Sequence, residues 1–436
     1  MKYTVATYRN FIFTGLLGLL FIPLFESTTH IKGVKKLEGA TEQTDTVPRF
    51  SIKNWFDGNY QREEVVILND SFGFRNIFVR IRNQIDYSLF GKYHARDVVF
   101  GKDGYLFDKR YIYGNCGTDF IGKDNITNVI EQLKFINDTL EKLNKTLILI
   151  IAPNKAAYYP EYLPDSFKSC SATTNYAEYI KHLKTSGLHY IDFNSYFIAQ
   201  KNISKYPLMP KNGTHWSMYG ATIAGDSLIR YIEKVRKIEL PKADITYGPL
   251  RNDSTFDVDI ENSFNLIFWF KRQLMEYPKV KFENGPNTIR PNVLIVGDSY
   301  YWGLSAAYNI ENAFSDKSDF WYYFKKLEHD TVTKNELQQE LAREDVIVLL
   351  ATAHNWADIG WGFVQSTYNL YNGHKIKPED NPAYIRELNV TMENIRKNKK
   401  WLESIVNGAK EKGIPLDSAV KLNAIWVMEH EKSQNN

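Results

Sequence analysis

Three features of the sequence predict an α/β fold built on a mostly parallel sheet. Four short, strongly apolar runs recur through the middle of the chain, helical stretches separate them, and each run ends in polar residues. The runs are Leu147 to Ala152, Leu188 to Asp192, Val293 to Val296 and Val346 to Leu350. Apolar runs of this length without polar alternation suit strands covered on both faces. Helical stretches between them imply right-handed crossovers, hence parallel neighbours. The polar endings are Pro153-Asn154-Lys155, Asp192-Phe193-Asn194, Gly297-Asp298-Ser299 and Thr352-Ala353-His354-Asn355. Open α/β sheets place their sites beyond the carboxyl ends of their strands, so these clusters mark a candidate site before any motif is considered.

The elements follow in chain order. Lys2 and Arg9 precede an apolar run from Phe11 to Phe25. Fifteen residues fall short of the roughly 20 that usually span a bilayer. No small-residue cleavage site follows, so the run reads as an uncleaved signal anchor with its basic end inside. A cleaved signal peptide is the second reading and a cytoplasmic helix the third. Residues 26–50 read as a polar linker. Ile77, Ile81, Ile85 and Leu89 recur at helical spacing, and Val98 to Phe107 reads as a hairpin turning at Lys102-Asp103-Gly104. Ile126, Val129, Leu133, Ile136, Leu140 and Leu143 make one helix face, and Met218 to Ile232 makes another helix. Leu388, Met392, Ile395, Leu402, Val406 and Ala409 share a face in a helical ending; Gly413 and Pro415 stop that helix and Asp417 caps the next. Four segments result: an anchor and membrane exit (1–30), a linker with an N-terminal segment (31–121), the α/β domain (122–370) and a helical C-terminal segment (371–436).

Composition narrows the function. Apolar residues at 43% and charged residues at 24% describe an ordinary globular chain. A formal charge of +3 offers no nucleic-acid footprint. Aromatics reach 14%, which fits core packing and also suits stacking on sugar rings. Cys116 and Cys170 are too few and too far apart for a zinc site; one disulfide and two free thiols both remain open. No phosphate loop and no Cys/His cluster points to a nucleotide or metal cofactor. Asn125-Ile126-Thr127, Asn212-Gly213-Thr214 and Asn389-Val390-Thr391 are formal glycosylation acceptors. The second overlaps the candidate site, where a glycan would block chemistry, which favours a bacterial envelope over a eukaryotic secretory route.

Two motifs carry chemistry. Val293 to Tyr300 runs a buried strand into Gly297-Asp298-Ser299, which places the Ser299 hydroxyl at the sheet edge beside backbone N–H groups suited to an oxyanion. A serine needs a base, and Gly213-Thr214-His215-Trp216-Ser217-Met218-Tyr219-Gly220 supplies His215 at the opening of a helix. Asn355 is a candidate side-chain oxyanion donor. Trp302, with its neighbours Tyr300 and Tyr301, is a candidate lining for a sugar groove. Lys155 is a candidate contact to an anionic sugar.

Together, Gly297-Asp298-Ser299 and Thr214-His215-Trp216 resemble the SGNH hydrolase-like domain of the alginate O-acetyltransferase AlgJ/AlgX family. The His block precedes the Ser block by 84 residues, the permuted order of that group. Asn69-Asp70-x-Phe72-Gly73-x-Arg75, Gly101 to Phe107, Pro153-Asn154-Lys155 and Tyr159 to Pro164 are similar to further family segments, so the resemblance runs from about residue 50 to 370. It implies an SGNH-like sheet, a Ser299–His215 acyl-transfer centre, an exported polysaccharide as acceptor and a membrane-bound O-acyltransferase as partner. It also implies attachment to the inner membrane with the body on its periplasmic or outer side. One departure stands out. The family pattern Asp-x-His-Trp carries Asp where this chain has Gly213. Asp192 is the named substitute; a backbone carbonyl in its place, or an inactive scaffold that only binds polysaccharide, are the alternatives. Water in place of a sugar hydroxyl would make the same residues an acetylesterase.

Overall fold

In the computed structural model, residues 5–29, 35–39, 50–167, 170, 173–252, 256–326, 331–372 and 382–434 are described. Five strands form one parallel sheet: β3 (Thr146–Ala152), β4 (His189–Asp192), β7 (Val293–Gly297), β8 (Asp319–Tyr322) and β9 (Val346–Thr352), in the order β4-β3-β9-β7-β8. All four predicted strands are in it; β8 is an addition. Two antiparallel pairs lie outside it: β1 (Val98–Phe100) with β2 (Leu106–Asp108), and β5 (Lys242–Thr246) with β6 (Lys279–Glu283). The first is the predicted hairpin. Its turn puts Asp103 and Gly104 at φ of 53° and 73°, a conformation that glycine adopts without steric cost.

The helices are α1 (Val5–Thr29), α2 (Ile52–Phe56), α3 (Asn59–Ser71), α4 (Arg75–Phe90), α5 (Lys109–Asn115), α6 (Lys123–Lys142), α7 (Lys155–Tyr158), α8 (Asn175–Ser186) and α9 (Phe193–Gln200). After these come α10 (Met218–Arg236), α11 (Asp259–Asn262), α12 (Tyr301–Gly303), α13 (Lys334–Arg343), α14 (Phe363–Asn372), α15 (Pro382–Lys397), α16 (Lys399–Lys412) and α17 (Leu416–Gln434).

Alternation along each strand sends side chains to opposite faces of the sheet. Ile148, Ile150 and Ala152 of β3 pack with Ala221, Ala224, Leu228 and Ile232 of α10. Leu147, Leu149 and Ile151 pack on the other face with Ile126, Leu133 and Ile136 of α6 and Leu183 of α8. Burying a Leu or Ile side chain stabilises the fold by about 1.5–3 kcal/mol. Leu143, counted above on the α6 face, lies just past the end of α6 and is exposed.

Two helical expectations need correction. The predicted C-terminal helix is two helices: the Asn398 side chain accepts the Trp401 N–H, which caps α16 and separates it from α15. Gly413 ends α16 at φ 62°, and Asp417 falls in the first turn of α17, not before it. These helices share a core of their own, with Leu388, Ile395, Ile405, Ala409, Val420 and Ala424. At the other end, α1 runs 25 residues, so Glu26 to Thr29 belong to it and not to the linker. Its length, about 37 Å at 1.5 Å per residue, exceeds a bilayer's hydrocarbon core. Tyr8–Thr29 has a mean hydropathy of 1.7 and none of its most apolar window is buried. Cys116 and Cys170 form a disulfide, which ties the segment after α5 to the one before α8.

Candidate active site

Ser299 sits one turn past β7. Gly297, the last strand residue, lies so close to β9 that a Cβ there would be 3.1 Å from the Leu350 carbonyl oxygen. Asp298 is buried, and its carboxylate is taken up by backbone and side-chain donors. Oδ2 accepts from the Thr352 N–H at 2.7 Å, the Thr352 hydroxyl at 2.6 Å and Asn355 Nδ2 at 2.9 Å, while Oδ1 accepts the Tyr300 N–H at 3.1 Å. Asp298 therefore fastens the β7 turn to the end of β9 and presents Ser299 half-buried at the sheet edge.

His215 precedes α10, whose N-cap is Ser217. His215 Nε2 is 2.7 Å from Ser299 Oγ, and His215 Nδ1 is 2.6 Å from Asp259 Oδ2. A carboxylate only accepts, so Nδ1 carries the proton and Nε2 of the neutral ring accepts from the Ser299 hydroxyl. Burial alone would pull the imidazolium pKa down; the Asp259 carboxylate outweighs it and holds His215 above its ordinary value. Burial likewise pushes the Asp259 carboxyl up, but the charge and hydrogen bonds of His215, the Thr214 N–H and nearby Lys155 hold it below the usual range.

The carboxylate on His215 is thus Asp259 and not Asp192. Asp192 ends β4, three strands from β7, or about 14 Å at 4.8 Å per strand. Its oxygens are committed elsewhere: Oδ1 caps α9 by accepting the Ser195 N–H at 2.9 Å, and Oδ2 accepts the Tyr176 hydroxyl at 2.8 Å. No backbone carbonyl takes that place on Nδ1 either.

Asp259 takes the place that Gly213 vacates. A Cβ on Gly213 would lie 2.8 Å from both Asp259 Oδ1 and the Asp257 carbonyl carbon. The two segments are stitched together on either side. The Thr214 N–H donates to Asp259 Oδ1 at 2.7 Å, Asn212 Nδ2 to Glu261 Oε2 at 2.5 Å, and the Glu261 N–H to the Asn212 carbonyl at 3.1 Å. Nothing local marks Asp259 in the sequence; the acidic run Asp257-Val258-Asp259-Ile260-Glu261 between the His and Ser blocks is the one available signal.

The remaining candidates divide. Asn355 and Ser299 line the same cavity of about 210 Å³, together with Thr214, His215, Arg110 and His354. One Asn355 Nδ2 hydrogen goes to Asp298; an amide carries a second. Burial of His354 pulls its pKa down to about 3, so it is a neutral wall of the cavity. Tyr300 does not line the cavity. It is buried, its hydroxyl donates toward the carbonyls of Pro153 and Thr214 at 2.8 and 3.0 Å, and its ring packs on His215 and Trp216. Tyr301 stacks on Phe320, and Trp302 packs on Tyr301 and Phe320 away from the cavity. Lys155 is also turned inward. Fully buried, it donates from Nζ to the carbonyls of Lys211 at 2.8 Å and Gly213 at 2.5 Å, and so grips the loop that carries His215. Burial lowers its pKa to about 7. Among the described residues no group of three or more His, Cys, Asp or Glu could hold a metal ion.

Residues 98–273 match the family described as SGNH hydrolase-like domain, acetyltransferase AlgX. The matched stretch contains His215 and Asp259 and stops before Ser299. A probable alginate O-acetylase AlgJ of Pseudomonas syringae pv. tomato is 23% identical over 257 residues, covering 58% of this chain and 63% of that protein. The Pseudomonas aeruginosa AlgJ is 23% identical over 210 residues, covering 48% of this chain and 49% of that one. The chain thus spans from about half to 63% of the length of these relatives. Among solved structures, the O-acetyltransferase domain of Pseudomonas putida AlgJ matches at TM-score 0.40 and 17% identity, covering 64% of this chain and 99% of that one. Pseudomonas aeruginosa AlgX matches at 0.41 and 14%, covering 62% and 67%. Over residues 98–273 the chain is thus similar to the SGNH hydrolase-like domain of AlgX, and its curated relatives are AlgJ proteins.

Proposed function

We propose that this chain is an O-acetyltransferase that modifies an exported polysaccharide through an acetyl-Ser299 intermediate. The observation that carries the reading is the continuous hydrogen-bonded chain Ser299–His215–Asp259 opening on a cavity. Ser299 Oγ attacks the acetyl carbonyl carbon of a donor ester and its proton passes to His215 Nε2. The oxyanion is met by the Ser299 N–H, which pairs with no described residue, and by the second Asn355 amide hydrogen. The intermediate collapses, the donor's alkoxide takes the proton from His215, and acetyl-Ser299 remains. A sugar hydroxyl then attacks the acyl carbon, gives its proton to His215, and Ser299 Oγ leaves and recovers that proton. Asp259 keeps Nδ1 protonated and offsets the imidazolium charge in both halves.

Three further elements belong to this reading. The helix α1 anchors the chain in the inner membrane and leaves the body on the periplasmic or outer side; the Cys116–Cys170 bond suits that oxidising side. A membrane-bound O-acyltransferase supplies the acetyl group. The four segments 1–30, 31–121, 122–370 and 371–436 serve as anchor, connector, catalytic domain and C-terminal helices.

The test supplies the full chain with a chromogenic acetyl ester and a polysaccharide acceptor. Acetylated polysaccharide, formed by wild type and not by Ser299→Ala, supports transfer. Release of free acetate alone, unchanged by acceptor, makes the protein an esterase. No ester turnover at all would favour the binding scaffold.

A further inference from the structure

We infer that α4, together with the end of α3, lies in the lipid interface of the membrane that α1 crosses. The inference rests on the reading of α1 as a membrane span given above. Its own observation is an inverted amphipathic helix. Ile77, Phe78, Ile81, Ile85 and Leu89 fall within a sector of about 120° at 3.6 residues per turn. This apolar stripe faces outward, with exposures from 38% at Ile77 to 72% at Leu89. The polar side of α4 faces the protein. Asn83 is buried and donates to the Phe264 carbonyl at 3.0 Å, Gln84 Oε1 accepts the Phe268 N–H at 2.9 Å, and Arg80 donates to the Lys36 carbonyl at 2.8 Å. A surface helix in water does the reverse, turning its apolar stripe to the core.

Continuity with α1 names the occupant. The Glu26 carboxylate accepts the Phe74 N–H at 3.0 Å, and Ser27 Oγ accepts the Gly73 N–H at 3.1 Å, so the exit of α1 is fastened to the α3–α4 junction. Gly73 lies directly under α1, where any side chain would strike the Pro23 carbonyl. A junction fixed to the end of a span sits at interface depth. The exposed apolar surface continues from α4 through Phe72, stacked on Phe78, to Val65, Val66 and Leu68 of α3. Arg82, its side chain 75% exposed, stands beside the stripe where lipid headgroups would meet it. A helix of this kind buries its apolar face about 5–10 Å into the headgroup boundary. Such a platform would hold the catalytic body at one height and orientation above the bilayer.

The full chain is reconstituted into phosphatidylcholine–phosphatidylglycerol vesicles with its disulfide intact. Single nitroxide labels are placed through Leu17→Cys, Ile81→Cys, Leu89→Cys and Glu131→Cys, at four exposed positions outside the core clusters. Collision with oxygen is compared with collision with a water-soluble nickel chelate. The expected ratio is highest at Leu17, severalfold above the Glu131 value at Ile81 and Leu89, and lowest at Glu131. If Leu17 is immersed while Ile81 and Leu89 match Glu131, the platform is overturned and the span survives. Shielding of Ile81 and Leu89 from both probes overturns it in favour of a protein partner or a second copy. Chelate access at Leu17 contradicts the span and this inference with it.

Discussion

The carboxyl edge of the parallel sheet and the short segment around α11 contribute to the same site by different routes. The edge delivers Ser299 on the β7 turn, fastened by Asp298 to β9. The α11 segment belongs to no strand end of that sheet; it packs on the β1–β2 hairpin and delivers Asp259 through backbone and side-chain bonds to residues 212–214. Both regions offer an aspartate, and the two have opposite jobs. Asp192, at a strand end where a site acid is expected, is a helix cap; Asp259, at the start of the short helix α11, orients the base. Strand ends locate a site of this fold, and the loops packed on them decide which side chains complete it.

The largest expected effect separates those two aspartates. Asp259→Asn should lower kcat/KM for acetyl-ester cleavage by about 10⁴-fold, since the amide no longer fixes the tautomer or offsets the imidazolium charge. Asp192→Asn, measured in the same assay, should stay within a few-fold of wild type. Thermal or denaturant melts should also change by well under about 1 kcal/mol, because asparagine caps a helix about as well as aspartate. A reversed order would return the acid to the sheet edge.

Lys155→Met should act next most strongly. It strands the carbonyls of Lys211 and Gly213, a loss of about 1–3 kcal/mol, and loosens the His215 loop, with a fall in kcat on the order of 10–10² for a misplaced base. The stability cost carries a sign in pH. Burial holds Lys155 at about 7 in the folded protein, against about 10.4 unfolded. The penalty for burying the ammonium is therefore full below pH 7 and fades as pH rises to about 10. Denaturant titrations should show wild type gaining on Lys155→Met across that window; a flat difference would mean that Lys155 keeps the same charge folded and unfolded, its pKa not lowered by burial.

The smallest effect is a displaced pH profile. His215 must be neutral to accept the Ser299 proton, and Asp259 holds its pKa above the ordinary value of about 6.5. The acid limb of kcat/KM should fall above that value in wild type and move down in Asp259→Asn. An unmoved limb would assign it to another group.

The sequence made the fold legible where burial is complete. β3, β7 and β9 are continuous apolar runs, and the Gly297-Asp298-Ser299 and Thr214-His215-Trp216 blocks mark the two ends of the shorter hydrogen bond chain. β5 and β6 are five residues long and more than half polar, and β8 is only four residues long, so none stands out as an apolar run. The position of Lys155 at a strand end was legible, but the direction of its side chain depends on two carbonyls from a loop 56 and 58 residues away. Tyr300 and Trp302 were displaced in the same way, since adjacency to a nucleophile does not say which side chain faces the cavity. The helical spacing in α4 revealed an apolar face without saying that it points away from the protein.

Acetyl-Ser299 is the species that the proposed mechanism requires. Mixing the full chain with a chromogenic acetyl ester and quenching during the first turnover gives a burst of chromophore and a peptide map. The expected result is a burst close to one per chain, with the acetyl group on the peptide containing Ser299, a full burst from Asp192→Asn, a much slower one from Asp259→Asn and none from Ser299→Ala. A burst that persists in Ser299→Ala, or an acetyl group on any other residue, would contradict the Ser299–His215–Asp259 assignment.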